Sequence, residues 1–203
     1  MYKKLIGTVI IVAVVAWSQE SIVPARPLEK GAIERGTYKN TSLGLELTPD
    51  AKLKFGTPEL KGKPGDAHSS LMVMALGKFR SGSAREATAF WAVPLASYPV
   101  GQRSTDAVMR KIVEANQKDG FSPVGGSFPS ELGGISFLRT NFFLRENPAY
   151  ETVFVKACGA FALGVVLTGS DRDAVNKLIA GTVLKLDLLT TGCPAQSDIA
   201  VQN

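Results

Sequence analysis

The shortness of the links between its strand-length apolar runs constrains this chain most. Between Ile135 and Thr168 such runs are parted only by a break at Pro148 and by the pair Cys158-Gly159. Links this short join antiparallel neighbours, because a parallel crossover needs roughly a dozen residues or more. Ile135 to Leu144, Ala149 to Ala157 and Ala160 to Thr168 are therefore expected as successive antiparallel strands. Upstream, Tyr38 to Leu47 reads as a hairpin about Asn40-Thr41-Ser42, and the glycines and prolines of residues 50–66 read as a loop. His68 to Phe79 sends Leu71, Val73 and Ala75 to one side and Met72, Met74 and Leu76 to the other, which predicts a strand covered on both faces. Glu86 to Leu95 reads as its returning partner, with a helix over 84–92 as the competing assignment.

Ser104 or Thr105 caps a helix that runs to about Lys118, with Met109, Ile112, Val113 and Asn116 on its inner face and Gly120 as its stop. Phe121 to Phe128 is expected as a strand interrupted by Gly125-Gly126, and Pro129 to Gly134 as a turn. Ser170 caps a second helix ending near Asp187, with Val175, Leu178, Ile179, Thr182 and Leu186 inward and Asp171 and Asp173 in its positive first turn. The fold class implied is α+β, a largely antiparallel sheet packed by helices.

The start of the chain gives an address. Lys3 and Lys4 precede an uncharged apolar run from Leu5 to Ala16, and Ala16-Trp17-Ser18 places small residues where a signal peptidase reads. Cleavage before Gln19 is expected, with Val14-x-Ala16 as second choice. The run is short of the roughly 20 residues of a membrane span, which favours a cleaved leader over the alternative of an uncleaved anchor. The division expected is a signal peptide at 1–18, a linker at 19–36, a domain at 37–190 and a polar tail at 191–203. Location is thus periplasmic or secreted, with membrane contact only through the leader.

Composition narrows the partners. The chain has 203 residues and a formal net charge of +5, with its Lys and Arg residues spread rather than gathered into a stripe. Loss of the leader removes Lys3 and Lys4, so the excess becomes milder still. Nucleic acid is not expected as a partner. Both cysteines, Cys158 and Cys193, lie in the exported part, where an even count favours a disulfide. The layout agrees. The last strand spans ~27 Å at ~3.3 Å per residue, and the final helix returns ~24 Å at ~1.5 Å per residue. Cys193 would thereby come back beside Cys158, closing a loop worth about 4 kcal/mol in the chain-entropy treatment.

Catalytic and metal chemistry find little purchase. The single histidine, His68, stands beside Asp66, Ser69 and Ser70, but neighbours along a strand point to opposite faces, so adjacency is not a triad. No metal set is spaced for zinc or calcium, and Asp171-x-Asp173 is better explained by helix N-terminal charge. Gly125-Gly126 and Gly133-Gly134 lack the Gly-Lys-Ser/Thr of a phosphate loop and read as bends. No cofactor is expected. Arg80 and Arg85 at a hairpin tip, and Trp91 among Phe90 and Tyr98, are the candidates for a ligand or partner surface. Arg139, among apolar residues on a strand, calls for a carboxylate, and Glu151 on the paired strand is its expected partner.

Three short motifs carry a resemblance. Tyr38-Lys39-Asn40 followed by Gly44-Leu45-Glu46-Leu47 and Pro49 resembles the opening hairpin of PsbP-like domains, with Leu45 where the family has phenylalanine. Gly133 to Arg139 resembles that family's glycine-led middle strand. Gly159 to Leu163, then Ser170 and the Leu178 helix, resembles its closing strand–helix unit. The likeness covers about residues 37–188. It implies an α/β/α sandwich around an antiparallel sheet and no shared catalysis, since members include photosystem accessory subunits, a small-GTPase partner and exported bacterial proteins of unknown role. The plant-type metal-binding histidines have no counterparts here. The function expected is a non-enzymatic accessory or protein-binding domain of the cell envelope. A small-molecule or lipid carrier with an apolar groove near Trp91 is the alternative, and a hydrolase using His68 with a nearby serine is a third reading.

Overall fold

Strands that send apolar residues to both sides must be covered on both sides, and this requirement organises the structure. A computed structural model describes residues 27–63, 66, 68–78, 85–145 and 148–187. Residues 1–18, where a leader is expected, and the candidates Arg80 and Cys193 lie outside the described residues.

In chain order the elements are β1 (Ala32–Glu34), β2 (Thr37–Asn40), β3 (Leu45–Thr48), β4 (Lys54–Phe55), β5 (Glu59–Lys61), β6 (Ser70–Leu76) and β7 (Ala87–Pro94). Two 3-10 turns, Leu95–Ser97 and Val100–Gln102, lead into α1 (Thr105–Lys118). Then come β8 (Phe121–Pro123), β9 (Phe128–Leu132), β10 (Ile135–Leu144), β11 (Ala149–Cys158), β12 (Phe161–Gly169), α2 (Arg172–Gly181) and β13 (Val183–Leu186). Among the described residues these strands make a four-stranded sheet, β1-β2-β3-β13, and a nine-stranded sheet built on β4-β6-β7-β12-β11-β10-β8, with β5 beside β6 and β9 beside β10. The strand pairs are antiparallel. The fold is α+β, mostly antiparallel sheet with two helices, as the short links require.

The large sheet separates two cores. On one face Leu71, Val73, Phe90, Phe154, Leu163, Val165 and Leu167 meet the small sheet and the α2 residues Val175 and Leu178. On the other, Trp91, Val153, Val155, Ala162 and Phe142 meet α1 through Val108, Met109 and Ile112. The helices therefore pack on opposite faces. Helix α1 begins where expected, with the Ser104 hydroxyl accepting from the Ala107 amide. It ends against Gly120, whose φ of 88° few other residues adopt.

Four expectations are corrected. The segment read as a linker at 19–36 is, in its described part, folded. Leu28 is fully buried, Ala32–Glu34 pairs with β2, and the buried Asn40 holds the Glu29 carbonyl. Pro129 to Gly134 is a strand, β9, before it is a turn. Gly133 and Gly134, both at positive φ, make the tight link to β10, and a side chain at Gly133 would meet the Leu184 carbonyl. The loop at 50–66 contains the short strands β4 and β5 paired to β6.

Helix α2 is capped by Asp171 rather than Ser170, and it stops at Gly181 instead of near Asp187. Thr182 turns its hydroxyl back to the Leu178 carbonyl, and Val183-Leu184-Lys185-Leu186 then alternates exposed with more buried positions as β13, paired to β3. The helix-length route to Cys193 is thus replaced by a strand, because four alternating residues complete the small sheet.

Gly164 lies opposite Trp91 in the β12–β7 register, and a Cβ there would enter the indole ring. Gly164→Ala is expected to lower stability by about 1–3 kcal/mol, because the packed core has no room for the added methyl. Urea denaturation followed by tryptophan emission checks this: the midpoint should fall and the native emission should shift as the indole is displaced.

Candidate functional site

Parity along paired strands decides which polar groups meet. Arg139 stands opposite Phe154, while Glu151 stands opposite Phe142. These positions differ by an odd step, so the two side chains leave opposite faces of the sheet. The expected Arg139–Glu151 pair is therefore corrected: they do not interact, and each has its own surroundings.

Glu151 is sealed beneath α1, 3% exposed, and accepts a 2.9 Å hydrogen bond from Asn116 Nδ2. Burial pushes its carboxyl up to about 7, opposed by hydrogen bonds from Asn116 and Thr168 and assisted by the nearby charge of Asp119. Asn116 ties α1 to β11 from a position that helical spacing already marked as inward. Its role was not legible, because the partner is 35 residues away in sequence.

On the other face, the Arg139 guanidinium lies between two rings, with its central carbon 5.6 Å from the Phe128 centroid and 5.4 Å from that of Phe154. Arg139 Nε donates to Asn141 Oδ1 at 3.1 Å, and the Thr152 hydroxyl donates to the same oxygen at 2.8 Å. Asn141 is thus held from β11 and in turn holds Arg139 on β10. Burial is the main cause lowering the Arg139 pKa; Tyr150 opposes this and the neighbouring charge of Arg172 adds to it. Further along the same face, Lys156 is buried with its Nζ on the Ser136 carbonyl at 3.2 Å, and burial lowers its pKa too.

The remaining candidates do not converge. His68 is exposed in a turn before β6, not in the strand. Its backbone amide donates to Asp66 Oδ1, while the Ser69 hydroxyl donates to the Asp66 main-chain carbonyl. Those contacts shape a turn; they do not align a nucleophile with a base. Arg85 is exposed and its Nε donates to the Gly77 carbonyl. Trp91, a candidate either for a ligand or partner surface or for core packing, is 6% exposed and belongs to the α1-side core. Phe90 points into the opposite core. Tyr98 joins Trp91, with Lys111 Nζ 5.1 Å from its ring and burial raising its hydroxyl to about 12. Among the described residues, no group of His, Cys, Asp and Glu is placed to hold a metal.

Glu151 supplies a pH test. Between about 4.5 and 7 the native carboxyl keeps its proton while the unfolded one has lost it. Stability is therefore fullest below the unfolded value, declines as pH rises through 7, and levels above it. Glu151→Gln should flatten this decline, which is of the order of 3 kcal/mol. Urea titrations from pH 4.5 to pH 8 would read it.

No protein-family model and no curated protein matches this sequence.

Proposed function

We propose that this chain is an exported, non-enzymatic accessory domain of the cell envelope that works by binding another protein, and that its fold is the PsbP-like α/β/α sandwich. The leader pattern at 1–18 supports export, and the three short motifs together with the α+β architecture support the family reading. The observation that carries the binding role is at the β8–β9 edge of the large sheet. There Val124 and Phe128 stand 44% and 40% exposed, four positions apart, on either side of a glycine pair. Large apolar side chains gathered at one edge beside an arginine have the composition of a protein interface.

A photo-reactive residue at Phe128 is expected to cross-link to an envelope protein in intact cells. The same residue at Arg110, on the outer side of α1, is expected to give no such product. Equal labelling from both positions would remove the reading.

The Cys158–Cys193 bridge belongs to the same proposal. Cys158 is fully buried at the end of β11, and no free cysteine occurs among the described residues. Non-reducing mass mapping of the protein from the envelope fraction should find a chain beginning at Gln19 with Cys158 linked to Cys193. A chain beginning at Met1 in the cytosol, or free thiols on an exported one, would refute the corresponding part.

A further inference from the structure

We infer that Arg139 is a receptor for the carboxylate of an acidic side chain on a partner protein, with Phe128 and Val124 taking the apolar residues beside it. The inference rests on the protein-binding reading above and names what the site recognises.

Arg139 carries a charge that lacks its counterpart. A guanidinium carries five N–H donors and stays protonated in proteins. Arg139 uses Nε on Asn141, and among the described residues its terminal amino groups meet no acceptor and no carboxylate. A second cation, Arg172, adds repulsion. Half-buried charge without a partner is costly, and an incoming anion relieves that cost.

The geometry is prepared for a fork-to-fork pair. The two rings flank the guanidinium carbon, and Asn141, itself held by Thr152, holds its Nε edge. Little rotamer freedom is left to lose on binding, which favours planar, bidentate recognition of a carboxylate.

The surroundings select the source. Phe128 stands opposite Arg139 on the edge strand β9. The Val124 amide donates to the Asn141 carbonyl, extending the β8 register to the position opposite Asn141. By register, Val124, Asn141, Arg139 and Phe128 share one face. An acidic residue flanked by apolar ones satisfies all four. Pro129 removes an amide from β9, so capture by side chains rather than by strand addition is favoured. A phosphate-rich polymer is disfavoured, since Arg172 is flanked by Asp171 and Asp173 and no basic stripe continues from it.

The test is a titration of the full-length protein with acetyl-Leu-Glu-Leu-amide, acetyl-Leu-Gln-Leu-amide and inorganic phosphate, read by the Arg139 Nε–Hε resonance and the Val124 and Phe128 amides. The glutamate peptide should shift all three saturably and more weakly as salt rises. The glutamine peptide should bind at least tenfold more weakly. Phe128→Ser, at an exposed edge position, should weaken the glutamate peptide several-fold, and Arg139→Gln should abolish the difference between the peptides. Equal binding of the two peptides, no shift at Arg139, or tighter binding of phosphate than of the glutamate peptide would each overturn the inference. The readout is independent of export. A cross-linked, exported protein that ignores the peptide defeats this inference alone, and a cytosolic protein that binds it defeats only the reading beneath.

Discussion

The β11–β12 pair is the constraint on which the rest of the structure depends. Phe154, Leu163, Val165 and Leu167 project to one side, while Val153, Val155, Ala162 and Val166 project to the other. Each buried Phe, Leu or Val side chain contributes about 1.5–3 kcal/mol only if something covers it. One helix cannot cover both faces, so α1 takes one, and α2 with the small sheet takes the other. Gly164 belongs to the same logic, because the absence of a side chain there lets the Trp91 indole lie against the sheet.

Asparagines close the polar groups that this layering buries. Asn40 donates to the Glu29 carbonyl and to Tyr38 while accepting from Ser42 and the Leu43 amide, which fastens the amino-terminal segment to the small sheet. Asn116 meets Glu151 and fastens α1. Asn141 takes donors from Thr152 and Arg139 and fixes the guanidinium. A side-chain amide can donate and accept at once, so it suits junctions where both kinds of group are left over. Among the described residues only the Thr88 hydroxyl and the Trp91 indole nitrogen remain buried without a partner, and they lie on opposite faces.

Much of the framework was legible. Strong alternation from Leu71 to Leu76 and from Ile135 through Thr168 marked the central strands, and Ser104, Met109, Ile112 and Gly120 marked α1 from cap to stop. The small sheet was half hidden. β1 and β13 are too short for periodicity to register, and Thr182 and Leu186 happen to continue the α2 spacing. They become strands because β2 and β3 offer paired edges, which is information held elsewhere in the chain. β9 was hidden by Pro129, which suggests a turn but is tolerated on an edge strand. The candidate site was legible only in its parts. Arg139 stood out as a charge among apolar residues, yet its surroundings were misassigned, because the pairing register decides whether a residue on the next strand is a neighbour or on the far side.

The sequence by itself determined the antiparallel sheet, the two helices, and the leader-like amino terminus, because link length, periodicity and local composition are properties of short windows. Only the tertiary structure decided which face each polar residue shares. Glu151 went beneath α1 with Asn116, and Arg139 went between Phe128 and Phe154. A one-residue difference in register exchanges one face for the other, and no short window records the register between distant strands.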